Sequence, residues 1–162
     1  MCGIVGLYMK TDKYAGDLGR LSALMLHEMR ERGPDSAGFA LYGEADSVDK
    51  MVLLSKTGET DWVHLAVRLT EATGLDVEQQ PVWDHAVFRV AGDGLKARRW
   101  IIDNAPDVTV LSQGRSIEVF KGVGDPDQVA ERFDLAGRSG THAIAHTRMA
   151  TESAVTTAGS HP

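Results

Sequence analysis

The sequence predicts an α+β fold built mainly of antiparallel sheets. Three observations carry this. Short apolar runs of strand length recur along the chain, helical periodicities separate them at irregular intervals, and two apolar runs flank a Gln-Gly step. Residues 3–8 (GIVGLY) predict a strand that starts almost at the first residue. A polar loop follows, then LGRLSALMLHEMRERGP, in which Leu18, Leu21, Leu24, Met25 and Met29 recur at helical spacing. Gly33 and Pro34 are expected to stop that helix, glycine as a left-handed cap and proline because it cannot continue. Residues 37–42 and 51–55 predict two further strands. The stretch 59–73 predicts a helix with an apolar face of Trp62, Val63, Ala66, Val67 and Leu69. Residues 86–91 predict a strand, and 93–103 a helix started by Asp93. VTVLSQGRSIEVF predicts a hairpin about Gln113-Gly114. DPDQVAERFDLAG predicts a short helix capped by Asp125, with Pro126 in its first turn and Gly137 at its end. GTHAIAHTRMATES predicts a strand running into a loop.

With 162 residues, 43% hydrophobic, the chain is long enough for one domain with a substantial core, since about 70% of the unfolded surface is buried at this size. No apolar run approaches the ~20 residues of a membrane span, and no signal-peptide pattern opens the chain, so no membrane partner is expected. The net charge of -6 gives no support to nucleic-acid binding. A single cysteine excludes an internal disulfide and fits a reducing, cytoplasmic setting. His27, His64, His85, His142, His146 and His161 show no compact metal-ligand spacing, and neither metal nor cofactor is expected.

Three segments carry residues suited to chemistry. The first is Cys2, directly behind Met1. Removal of Met1 leaves Cys2 with a thiol and a free α-amine of reference pKa about 7.7–8, a usable base for its own side chain. The bland alternative is an inert buried cysteine. The second is RGPDSAG, Arg32 to Gly38, a cap and turn before a strand; Arg32 supplies positive charge beside a thiolate, and Gly33 permits close approach of a ligand. The third is AHTRMATES, Ala145 to Ser153. A strand brings His146 and Arg148 to one face, and arginine suits bidentate capture of a carboxylate. The alternative for Arg148 is a surface arginine on an edge strand. A Cys2–His146 dyad is a third chemical possibility.

Together the segments resemble the class II glutamine amidotransferases, whose glutaminase domain is an N-terminal-nucleophile hydrolase. Cys2-Gly3-Ile4 matches the family's start, Arg32, Gly33, Asp35, Ser36, Ala37 and Gly38 its Arg-Gly-x-Asp-Ser-Ala-Gly segment, and Ala145, His146, Thr147 and Arg148 its Gly-His-Thr-Arg-like strand. The wording RMATES is most similar to stand-alone amidotransferase subunits of glutamate-synthase and N-methylglutamate-synthase-like systems. The resemblance implies an αββα sandwich, incomplete in this chain. Residues 1–162 are then the N-terminal part of the amidotransferase domain, with a region of about 50–135 inserted. It also implies that Cys2 attacks the side-chain amide of glutamine, releasing ammonia and a glutamyl thioester that water hydrolyses to glutamate. Arg32 and Gly33 would border the nucleophile, and Arg148, Met149, Ala150 and Thr151 would bind substrate. Ammonia would pass to a synthase partner in a hetero-oligomer. The family's Asn-Gly oxyanion pair and its substrate-amine-binding acid are expected beyond the SHP at the end of this chain. A catalytically silent assembly subunit on the same scaffold is the alternative.

Overall fold

A computed structural model describes residues 2–150, 155–157 and 159–162. They form an α+β structure in two compact units, one of residues 1–44 with 119–162, the other of residues 45–118.

The first unit holds β1 (Gly3–Tyr8), α1 (Leu18–Glu28), β2 (Ser36–Tyr42), α4 (Pro126–Arg132) and β8 (His142–Arg148), together with most of β7 (Ile117–Val123). Its sheet runs β1-β8-β2-β7, so β8 lies between the strands that carry the other two singled-out segments. Helices α1 and α4 cover one face: α1 packs on β1 and β8, and α4 on β2. Alternation assigns that face to Val5, Ala37, Phe39, Leu41, Ala143, Ala145 and Thr147, all buried. Phe39, Phe120 and Phe133 meet there at ring-centroid distances of 5.2–6.3 Å.

The second unit holds β3 (Asp49–Ser55), α2 (Trp62–Thr73), β4 (Asp76–Val82), β5 (His85–Ala91), α3 (Gly94–Asn104) and β6 (Val108–Gly114). Its βαββαβ order, with the sheet running β4-β5-β3-β6, is the split-βαβ arrangement. Leu65 and Leu69 of α2 and Ala97 and Ile101 of α3 pack with Met51, Leu53 and Phe88 of the sheet.

Several expectations change in detail. The 59–73 helix begins at Trp62, because the Asp61 carboxylate accepts from His64 N–H and caps it there. Its buried face is Trp62, Leu65, Ala66 and Leu69, whereas Val63 and Val67 are exposed. In α1 the buried positions are Leu18, Gly19, Ser22 and Leu26; of the expected stripe Leu18 is buried, Leu21, Met25 and Met29 are half-buried, and Leu24 is exposed. Helix α4 ends at Arg132 rather than at Gly137. Asp134 takes the left-handed conformation (φ 50°), and Leu135 N–H and Asp134 N–H donate to Ala130 and Glu131 carbonyls, so the aspartate fills the glycine's usual place. The runs around Gln113-Gly114 are strands but not a hairpin. The ladder of β6 is taken by β3, and β7 lies beside β2 in the other sheet. The apolar runs specify two strands and a reversal, but not their partners. Strand β4 has no apolar run to announce it: DVEQQPV is an edge strand with a polar outer face.

Candidate active site

The site is built on β8. Both neighbours pair with it antiparallel, Gly3 opposite Thr147 and Ile4 opposite His146 on one side, Ser36 opposite Arg148 and Gly38 opposite His146 on the other. Continuing the β1 register by one residue sets Cys2 at the level of Arg148. Segments far apart in sequence therefore meet at one end of one sheet. Because side chains alternate, Thr147 turns into the helix-covered core while His146 and Arg148 turn to the opposite face with Cys2 and Ile4. There they line a cleft of ≈ 320 Å³ with Ile144, His161 and Pro162. The Cys2 thiol is free and exposed. Larger clefts of ≈ 520 and ≈ 410 Å³ lie on the second unit and contain none of these residues.

The face is apolar and open at its β1 end, where Ile4 is 71% and Tyr8 67% exposed. Over β2 it is covered by the returning chain. The His161 carbonyl sits 2.4 Å from where a Cβ on Gly38 would lie, so only glycine fits under it. Lys121 Nζ donates to the Ser160 carbonyl, and burial pushes this ammonium's pKa below its usual value. The His161 ring meets the His146 ring edge-on at 5.2 Å. Burial, then the neighbouring His161 and Arg148, hold the His146 pKa below the ordinary histidine value, which favours the neutral ring. His146 Nδ1 is buried without a hydrogen-bond partner among the described residues.

The RGPD turn grips the end of β8. Gly33 is extended (φ -161°), not left-handed as expected. Its requirement is spatial: a Cβ there would lie 2.4 Å from Arg148 N and 2.5 Å from the Thr147 carbonyl carbon, so the close approach Gly33 permits is that of its own chain. Pro34 bridges Arg148 in parallel sense. Asp35 N–H donates to the Arg148 carbonyl at 3.1 Å, and an Asp35 carboxylate oxygen accepts from Ala150 N–H at 2.7 Å. Thr147 Oγ1 donates to the Met29 carbonyl, tying the same strand to the end of α1.

Cys2 and Arg148 thus share one cleft. Arg32 is exposed in the 3-10 turn of residues 30–32 and, like Gly33, Met149 and Ala150, is not among that cleft's lining residues. Thr151 and the removal of Met1 fall outside the described residues. Not singled out from sequence were Ile4, Ile144, His161 and Pro162 in the lining, and the grip of Asp35. Alternation along the first strand and along HAIAHTR signals Ile4 and Ile144; the contacts of Asp35, His161 and Pro162 depend on tertiary register. Among the described residues no three metal-ligating side chains converge, and no helix is long and apolar enough to cross a membrane.

No family model matches the chain. Over its whole length it is similar to the glutamine amidotransferase-like protein GlxB of Rhizobium meliloti (strain 1021), 44% identical over 164 residues and 54% of that protein. It is also similar to a putative glutamine amidotransferase of Methanothermobacter thermautotrophicus (strain ATCC 29096 / DSM 1053 / JCM 10044 / NBRC 100330 / Delta H), 38% identical over 172 residues and 56% of that protein. The chain spans about half the length of the curated relatives it matches.

Proposed function

We propose that the chain is the nucleophile-bearing part of a class II, N-terminal-nucleophile glutamine amidotransferase. In this reading Met1 is removed and the free α-amine of Cys2 takes the proton of its own thiol. The thiolate adds to the side-chain amide carbon of glutamine, the C–N bond breaks, and ammonia leaves with the proton held by the amine. Water then cleaves the glutamyl thioester to glutamate and restores the thiol. Arg148 holds the substrate α-carboxylate with two parallel N–H donors. Ammonia passes to a synthase subunit of glutamate-synthase type in a hetero-oligomer, and residues 45–118 are an insertion in the amidotransferase domain. The open apolar face around Ile4 and Ile144 suits a second layer of a sandwich laid over it.

The observation that carries the reading is the company Cys2 keeps: a free thiol and a guanidinium in one cleft, delivered by strands that β8 joins. A glutaminase assay of the full-length protein with its Cys2→Ala variant tests it. Alanine fits where the exposed thiol was, so hydrolysis should vanish with folding intact. Retained hydrolysis in Cys2→Ala would remove the nucleophile and the reading with it.

One observation favours a second reading. His146 lines the same cleft, its ring is favoured neutral, and its Nδ1 has no partner among the described residues. In that reading His146, not the terminal amine, is the base.

A further inference from the structure

We infer that Asp35 is the positioning residue of this site: it fixes the end of β8, and through it the pose of Arg148. The inference rests on the reading of Arg148 as the holder of the substrate carboxylate, and it extends that reading to a residue with no assigned role.

The case is geometric. Strand β8 ends at Arg148, where an arginine that must present two donors in a fixed plane needs a rigid backbone. Beyond Ser36, β2 offers no further residue to pair with. Asp35 replaces that missing partner with three bonds. Its N–H donates to the Arg148 carbonyl at 3.1 Å, its carboxylate accepts from Ala150 N–H at 2.7 Å, and its own carbonyl accepts from Gly124 N–H at 3.0 Å. The first two bracket Arg148 and Ala150 from one residue; the third anchors that residue to the end of β7. Gly33 and Pro34 press against the same backbone. The carboxylate bond is the one that side-chain chemistry controls, and at 2.7 Å it is of charge-assisted length. Residue types that cannot accept at that position free the chain after Arg148.

The first requirement is an acceptor oxygen of aspartate's reach, which asparagine keeps in a weaker neutral bond and alanine loses, so Asp35→Asn and Asp35→Ala separate the acceptor from the charge. In the full-length protein, Asp35→Ala should raise the KM for glutamine by about tenfold or more, the equivalent of one lost charge-assisted bond, with kcat changed by less than about threefold. Asp35→Asn should return KM to within about threefold of the parent. Backbone hydrogen exchange reads the grip without any turnover: the Ala150 amide should exchange at least about tenfold faster in Asp35→Ala and near the parent rate in Asp35→Asn. An unchanged Ala150 rate in Asp35→Ala overturns the inference whether or not the protein hydrolyses glutamine. So does a parent-like KM in Asp35→Ala, or an Asp35→Asn variant as impaired as Asp35→Ala. A parent protein that hydrolyses no glutamine sinks the amidotransferase reading and the claim about Arg148 with it, while the exchange rates still decide whether Asp35 holds the strand end.

Discussion

At the scale of single residues, Arg148 and His146 stand two positions apart on β8 and line one cleft. Lysine at position 148 keeps the charge but loses the planar fork. Arg148→Lys should therefore raise the KM for glutamine by the equivalent of roughly 1.5–3 kcal/mol, with an unchanged melting temperature. An unaltered KM would make Arg148 a bystander. His146 makes a prediction in pH. Its folded pKa lies below the ordinary value of about 6.5, so the unfolded chain binds this proton more readily than the native one. The associated stability is present above about pH 6.5 and is lost as pH falls from there through the folded pKa. Replacing the ring by an uncharged side chain, His146→Gln, should flatten that part of the curve of melting temperature against pH; an identical curve would contradict the shift. The types of these residues and their two-residue spacing were legible in the sequence. Their meeting with Cys2 was legible only through the family resemblance, because residue spacing alone does not say which strands pair.

At the scale of elements, apolar runs, periodicity and caps marked most strands and the four α-helices, since buried faces and helix ends leave a regular trace, whereas the 3-10 turn Asp12–Asp17 read as loop. These signals failed where structure leaves none. An edge strand with a solvated face reads as loop, which hid β4. A reversal between apolar runs says nothing of partners, which turned β6 and β7 into a hairpin. Helix α1 ends at Glu28, before the expected stop; Gly33 follows the 3-10 turn of residues 30–32 with an extended backbone, and the neighbour that forbids a side chain there is over a hundred residues away. That exclusion is testable. Gly33→Ala forces a Cβ against the β8 backbone and should cost about 1–3 kcal/mol in urea unfolding, as overpacking does. A left-handed cap would not explain such a loss at φ -161°, and an unperturbed midpoint would show the backbones can part freely.

For the whole molecule, the sequence marked residues 50–135 as set apart, and the chain groups residues 45–118 as a compact unit with a βαββαβ core of its own, while α4 and most of β7 lie with the first unit. That unit should be felt in stability: Leu69→Ala removes a fully buried side chain and should cost about 2–5 kcal/mol by urea unfolding, whereas a change near zero would mean its core is loosely packed. The central claim concerns the other unit, where a thiol at the chain's beginning is served by its own amine. The most direct measurement is a glutaminase assay on the full-length protein with one residue added ahead of Cys2, beside the unextended parent. The extension keeps the thiol and turns the amine into an amide, which is no base. Self-activation requires activity to fall nearly to the level of Cys2→Ala. Full activity in the extended form would contradict it and make His146, in the same cleft, the base.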